Sequence, residues 1–204
     1  GAADTEDITI TGTIDDASSD TTLSLNAGAL GDVTLSSAVG GTNAPAAFTI
    51  SNAFDATLQA VTTAASGNIL VGTDSSTRLD GTLTLNGDLK SDNGEGSAAG
   101  TISLFADDIK LSPSSTPGTI TLDSDGSSDG VITIATDSSG ALASSTAWAD
   151  GITLNSGTAN TILTNAILNS LDHLDLTAAA ATLSDTTVGC LLYTSPSPRD
   201  DELS

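Results

Sequence analysis

One local pattern recurs along the chain: a glycine followed by strict alternation of polar and apolar residues. Residues 81–85 (GTLTL), 100–104 (GTISL) and 118–122 (GTITL) are nearly identical, and their starts lie at almost equal intervals in the sequence. Successive side chains of a strand point to opposite faces of a sheet, so alternation marks a strand with one buried face. Each copy therefore predicts a glycine turn followed by a short, half-buried strand.

Weaker copies of the pattern extend this prediction to most of the chain. They occupy residues 31–35, 130–134 and 151–154. Further alternating apolar pairs are Ile8/Ile10, Leu23/Leu25, Phe48/Ile50, Ile69/Val71, Ile109/Leu111 and Leu174/Leu176. The segments between them are rich in Gly, Asp, Asn and Ser, which supply the backbone conformations and local hydrogen bonds of turns. The chain is predicted to be all-β.

Two segments carry apolar residues at spacings of three and four, which also suit a helix. They are Phe54/Leu58/Val61 and Leu163/Ile167/Leu171/Leu174. The second lies among Asn and Thr residues, whose helix propensity is low. We interpret both segments as strands.

Short strands at nearly regular spacing suit either a β-sandwich or a β-solenoid. Aromatic residues make up only 2% of the chain, which gives a sandwich core little filling. A parallel β-helix can fill a narrow core with aliphatic residues, because each turn stacks on the next. With about 20 residues per turn, near the lower end of known repeat lengths, the chain would form roughly nine turns. Tandem β-sandwich modules are the alternative.

Two stretches resemble a known family. Residues 31–42 (GDVTLSSAVGGT) and 83–94 (LTLNGDLKSDNG) are similar in style to the repeat region of filamentous-haemagglutinin-like and related giant surface proteins of Gram-negative bacteria. The resemblance implies a right-handed parallel β-helix that is exported to the cell surface and acts in adhesion or biofilm structure. Its implied partners are host or abiotic surfaces, glycans and neighbouring repeats of the same protein.

Charge excludes several classes of partner. The chain carries 26 acidic residues against four basic ones, a formal net charge of −22. So few cations cannot form a surface that binds phosphate backbones or anionic lipid. No apolar run approaches the length of a membrane-spanning helix. We therefore expect neither nucleic acid binding nor membrane insertion.

The last fifteen residues differ from the rest in composition. Residues 190–200 (CLLYTSPSPRD) match, codon by codon, the translation of a transposase-type sequencing adapter, and residues 201–204 fit its continuation through an index. The sequence predicts two parts: a β-solenoid segment over residues 1–189, open at both ends, and a non-native, disordered tail over residues 190–204. Cys190, the only cysteine, would then have no chemical role.

Catalytic chemistry is poorly supported. His173 is the only histidine, with Asp172, Asp175 and Ser170 beside it. A Ser/His/Asp triad would also need an oxyanion hole and a nucleophile turn, and no G-x-S-x-G motif occurs. We interpret His173 as a solvent-facing strand residue and predict a chain that is not an enzyme, with no catalytic residue.

Two binding alternatives remain open. Trp148 could stack a sugar ring at a cleft, which would make the chain a carbohydrate-binding or polysaccharide-cleaving β-helix. Asp123, Asp125 and Asp129 lie in one turn and offer oxygen ligands for Ca²⁺, as in calcium-stiffened β modules of a surface protein. That turn matches neither an EF-hand nor a G-G-x-G-x-D repeat. The favoured interpretation is a solvated acidic turn, without a metal or cofactor.

Overall fold

The computed structural model describes residues 6–92, 97–188 and 191–193. These residues form strands and turns and contain no helix, which confirms the prediction of an all-β chain. In chain order the strands are β1 (Ile8–Ile10), β2 (Thr22–Asn26), β3 (Val33–Leu35), β4 (Ala47–Asn52), β5 (Ala56–Leu58), β6 (Val61–Thr62), β7 (Ile69–Val71), β8 (Leu79–Leu85), β9 (Leu89–Lys90), β10 (Ile102–Leu111), β11 (Gly118–Asp123), β12 (Ile132–Ala135), β13 (Ala141–Ser144), β14 (Asp150–Asn155), β15 (Asn160–Thr164), β16 (Ile167–Asn169), β17 (His173–Thr177), β18 (Ala180–Ser184), β19 (Thr187–Val188) and β20 (Leu191–Tyr193).

The strands pair in three parallel stacks. Stack 1 contains β1, β3, β5, β8, the second half of β10, β13, β16 and β19. Stack 2 contains β6, β9, β11, β14, β17 and β20, and isolated bridges join Ile14 and Val39 to its start. Stack 3 contains β2, β4, β7, the first half of β10, β12, β15 and β18. Every pairing among these strands is parallel.

The chain visits the three stacks in a fixed order. From β11 onward, successive strands lie in stacks 2, 3 and 1, and this order repeats to β20. Parallel neighbours cannot be joined by a tight hairpin and need a long crossover. Here the crossover between neighbours in one stack consists of strands in the other two stacks. One turn of the chain is thus one pass through all three stacks.

The length of a turn was not predicted correctly. In stack 1 the return from Ile8 to its partner Val33 is longer than predicted, and the return from Ile109 to Leu142 is longer still. The last returns, such as Asn160 with Ala180, match the predicted length, and so does the early return from Phe48 to Ile69. Longer turns mean fewer of them, and the described residues return to stack 1 seven times where about nine turns were predicted.

The three near-identical repeats occupy three different stacks. Residues 81–85 belong to β8 in stack 1, residues 102–104 of the second copy begin β10 in stack 3, and residues 118–122 lie in β11 in stack 2. The interval between successive copies is therefore a fraction of a turn and not a whole one. The repeats are alike because each of the three stacks needs the same local sequence: a bend, followed by a strand with one buried face.

The core consists of aliphatic columns that run through each stack. In stack 3 the pairing register aligns one such column. All of its members except the last are fully buried. It runs Ile50, Val71, Leu104, Ile134, Leu163 and Leu183, and Leu183 is 42% exposed. Full burial of one such side chain contributes about 1.5 to 3 kcal/mol. The columns therefore supply much of the favourable free energy of folding.

Both helix-compatible segments are strands, as interpreted from the sequence. The first contributes β5 and β6 and the second contributes β15, β16 and β17. Their three-and-four spacing arises because the chain turns a corner between short strands, which shifts the phase of the two-residue alternation.

The predicted tail is only partly described. Residues 191–193 form β20, which pairs in parallel with β17. The other tail residues, including Cys190, lie outside the described residues.

Candidate functional site

Polar side chains at the corners between strands accept hydrogen bonds from backbone amides of the next turn. The carboxylate of Asp7 accepts a hydrogen bond from the amide of Asp32 (2.9 Å), and the Asp32 carboxylate accepts one from the amide of Asp55 (3.1 Å). Asp55 in turn accepts from the amide of Thr82 (2.6 Å). We call these bonds, and their equivalents elsewhere, the side-chain ladder. The equivalents are Thr121 to Asp88, Ala141 to Asp108, Thr101 to Asn68, Thr158 to Asp129 and Thr42 to Asp15.

The side-chain ladder gives a structural role to seven of the 26 acidic residues. At each corner one backbone N–H has no partner in the regular strand pairing. An amide that is buried without a hydrogen bond lowers the stability of the fold. The acceptor usually stands directly before the first apolar residue of its strand, as in Asp7-Ile8 and Asp88-Leu89. Sequence analysis missed this role because each carboxylate was judged alone. The signal was visible as Asp or Asn preceding strand after strand.

Hydrogen bonds lower the pKa of two carboxylates of the ladder, Asp15 and Asp129. The amides of Thr42 and Asn43 hold the pKa of Asp15 below its ordinary value. The hydroxyl of Thr158, with the amides of Gly126 and Thr158, lowers the pKa of Asp129 to about 2. A carboxyl group that accepts several hydrogen bonds stays charged in mild acid.

The acidic turn between β11 and β12 uses its carboxylates internally. Asp129 accepts hydrogen bonds from the amide of Gly126 (3.0 Å) and from Thr158 one turn on. Asp123 accepts from the amide of Asp125 (3.2 Å) and from the side-chain amide of Asn155 (3.1 Å). Within residues 6–92, 97–188 and 191–193, no three Asp, Glu, His or Cys side chains converge as a metal site would require. Ca²⁺ coordination needs several oxygens aimed at one point, whereas the Asp123 and Asp129 carboxylates accept hydrogen bonds from the chain itself.

A polar basin of about 390 Å³ adjoins this turn. The Lys90 ammonium lies in it, 3.3 Å from Asp92 and 3.7 Å from Asp123. Partial burial pulls the pKa of Lys90 down, but the two carboxylates outweigh this and hold it above its ordinary value. The Asp92 carboxylate is buried, and neither oxygen accepts a hydrogen bond from the part of the chain that the structure describes. Lys90 thus supplies the positive charge at this position.

Arg78 joins three successive turns. Its Nε donates to Asp107 (2.6 Å), its Nη2 donates to Asp137 (2.5 Å), and its Nη1 donates to the carbonyl of Ser75 (2.7 Å). Asp107 and Asp137 occupy equivalent positions one turn apart, so the guanidinium offsets the repulsion between two stacked carboxylates. The Ser138 amide, and then the charge of Arg78, lower the pKa of Asp137.

His173 is packed against the sheet and is not fully exposed. Its imidazole lies over Gly151, the equivalent residue one turn earlier, where an added Cβ would come within 2.2 Å of the ring. Nδ1 lies 3.0 Å from Asp172, Nε2 lies 3.4 Å from the Thr119 hydroxyl, and the His173 side chain is 23% exposed. The ring is thus held by packing on a glycine, a structural role that sequence analysis did not anticipate.

Among residues 6–92 and 97–187, Trp148 is the most exposed large apolar side chain, at 57%. It occupies the turn between β13 and β14 with φ of +62°, a left-handed conformation that is uncommon for a non-glycine residue. Its amide donates to the carbonyl of Ser170 (2.8 Å). The indole is therefore held at the surface, where it is free to meet a ligand.

A second cavity, of about 380 Å³, runs along the corner between stacks 1 and 2. We call it the corner groove. The side-chain amides of Gln59 and Asn86, one turn apart, have no hydrogen-bond partner in the described chain. Pro113 forms an apolar wall, and hydroxyls of Ser114 and Ser115 complete the polar surface. Trp148 is not among its lining residues. Sequence analysis did not find this groove, because turns far apart in sequence form it.

Comparison with known proteins finds no matching family model, no matching curated protein and no matching solved structure. No helix long and apolar enough to cross a membrane occurs in the described residues.

Proposed function

We propose that this chain is a β-solenoid segment with a structural and adhesive role, and without catalysis, in a large exported bacterial surface protein. The observation that carries the proposal is the fixed order in which the chain visits three parallel stacks. A solenoid with right-handed coiling is the simplest path that joins parallel neighbours in this way.

The use of polar groups supports a structural role. The ladder carboxylates accept hydrogen bonds from the backbone of the next turn, Arg78 joins stacked aspartates, and His173 packs on Gly151. Groups engaged in this way stiffen the column and are not free to act as acids, bases or nucleophiles. The strongly acidic surface also suits an external medium, where salt screens its self-repulsion.

Surface exposure of the parent protein tests the location. Antibodies raised against the folded chain should label intact cells of the source bacterium as strongly as permeabilised cells. Brief external protease treatment should remove that label. Label that appears only after permeabilisation would contradict the proposal, and a cytoplasmic marker antibody serves as the control for cell integrity.

A glycan-binding module is the second candidate function. The corner groove favours it, because free side-chain amides and hydroxyls next to an apolar proline wall suit a neutral, hydroxyl-rich ligand. A glycan array probed with the chain should then give signals that Gln59→Ala weakens. The variant Trp148→Ala, which lies outside the groove, distinguishes this site from the exposed indole. If Trp148→Ala abolished the glycan signals and Gln59→Ala did not, sugar binding would lie at the tryptophan.

We also propose that residues 190–204 are adapter-derived. Long-read sequencing of the parent locus across the codon of Gly189 tests this. A reading frame that continues into further Gly-Thr-Ile-Thr-Leu-like repeats supports the proposal, and a locus that encodes CLLYTSPSPRD refutes it.

A further inference from the structure

Asn86 and Gly87 form the corner between β8 and β9 and line the corner groove. The Asn86 side chain is half-buried, and its amide makes no hydrogen bond within the described chain. The backbone N–H of Gly87 likewise has no partner there. The carboxamide and the following amide nitrogen thus both lack a hydrogen-bond partner in the described chain, and the open groove admits water.

Three other asparagines lack the combination found at Asn86. The side-chain oxygen of Asn68 accepts from the Thr101 amide (2.9 Å), and a β-branched isoleucine follows it. The side-chain nitrogen of Asn155 donates to Asp123 (3.1 Å). Asn52 has a free side chain, but Ala53 follows it, and the methyl group hinders approach to the carboxamide. Asn86 alone among these four combines a free carboxamide with a following glycine.

We propose that Asn86 is a site of self-modification by deamidation in the folded protein. The Gly87 nitrogen attacks the Asn86 side-chain carbonyl carbon, a new C–N bond forms, and the bond to the side-chain nitrogen breaks. Ammonia leaves with the proton lost by the Gly87 amide, and a succinimide remains. Water then opens the ring to aspartate or isoaspartate, so the reaction needs no partner beyond water.

The product changes both the groove and the corner. Either product replaces a neutral donor and acceptor by a carboxylate in the groove that Asp88 also lines. Isoaspartate also adds one methylene to the main chain. Gly87 packs so closely on the preceding turn that a Cβ would lie 2.5 Å from the nitrogen of Ala60, so a lengthened backbone must displace that turn. Isoaspartate is therefore expected to lower stability, whereas aspartate is tolerated. The inference does not depend on the proposed function.

Peptide mass mapping of the full chain, aged in mildly alkaline buffer, tests the proposal. An Asn93→Gln background removes the second Asn-Gly pair, which lies outside the described residues. The expected result is a gain of about 1 Da at Asn86 ahead of Asn52, Asn68 and Asn155, abolished by Asn86→Gln. Equal rates at Asn86 and Asn52 would overturn it. So would modification at Asn86 in denaturant but not in buffer, because the fold would then protect the site.

Discussion

Single polar residues in this protein act mainly on the backbone of the adjacent turn. Asp55 illustrates the point, because its carboxylate accepts the Thr82 amide at 2.6 Å across a corner where no strand neighbour is available. The residue is partly buried. The loss of such an acceptor leaves a donor unpaired, which costs more than the net value of the bond.

We therefore predict that Asp55→Ala lowers the free energy of unfolding by about 1 to 3 kcal/mol, whereas Asp55→Asn, which keeps an acceptor oxygen, costs less. Urea denaturation measures both. Asp20→Ala is the matched control, because Asp20 is exposed and bonds only nearby side chains in its own turn. Equal losses for Asp55→Ala and Asp20→Ala would contradict the ladder.

The contact of His173 with Gly151 makes a second prediction at this scale. Gly151→Ala should destabilise the fold by about 1 to 3 kcal/mol, because the added methyl group overlaps the imidazole. In a His173→Ala background the same change should cost much less. Thermal denaturation of the four members of this double-mutant cycle gives the coupling free energy between positions 151 and 173. No coupling would mean that the imidazole ring moves aside freely.

At the scale of the strand, position along a column determines the cost of truncation. Leu104 lies in the middle of the stack 3 column and is fully buried, so Leu104→Ala should cost about 2 to 5 kcal/mol. Leu183 ends the same column and is 42% exposed, so Leu183→Ala should cost clearly less. Chemical denaturation compares the two variants, and equal costs would mean that the column does not end at β18.

The sequence predicted the strands and their parallel pairing well and the length of a turn poorly. Alternation located β7, β8 and β11 because it records which face is buried, a local property. The interval between the near-identical repeats did not give the turn length, since these motifs stand on different sides of the turn. Loop lengths vary between returns, from Asn160/Ala180 to Ile109/Leu142, and only the pairing register reveals them. The corner groove was inaccessible to sequence analysis for the same reason.

At the scale of the whole molecule, the net charge of −22 opposes compaction. Added salt should therefore raise the melting temperature at neutral pH. Calcium should do no more than sodium chloride of equal ionic strength, because the acidic turn already uses its carboxylates. A larger rise with calcium that a chelator reverses would favour the calcium-stiffened alternative. Asp123→Asn would then be expected to remove that extra rise.

Acid should destabilise the fold only at low pH. Hydrogen bonds lower the pKa of Asp129 and of Asp74 to about 2, from an ordinary value of 3.8. A lowered folded pKa contributes stability above the unfolded value, and this contribution is lost as pH falls through the folded value. The contribution of these two carboxylates should thus persist to about pH 4 and disappear towards pH 2. Circular dichroism against pH measures this, and unfolding already complete at pH 5 would contradict it.

The central claim is that equivalent residues of successive turns stack in register along one axis. Spin labels at Thr9 and Ala143, in a Cys190→Ser background, test it by double electron–electron resonance. These positions lie on the outer face of stack 1 and are five turns apart in register, so at about 4.8 Å per turn the account predicts a narrow distance distribution near 24 Å. Labels at Thr9 and Lys110 should give about one turn less. The stacked arrangement would be contradicted if the Thr9–Lys110 distance were not about one turn spacing shorter than the Thr9–Ala143 distance. A broad distance distribution for either pair would also contradict it.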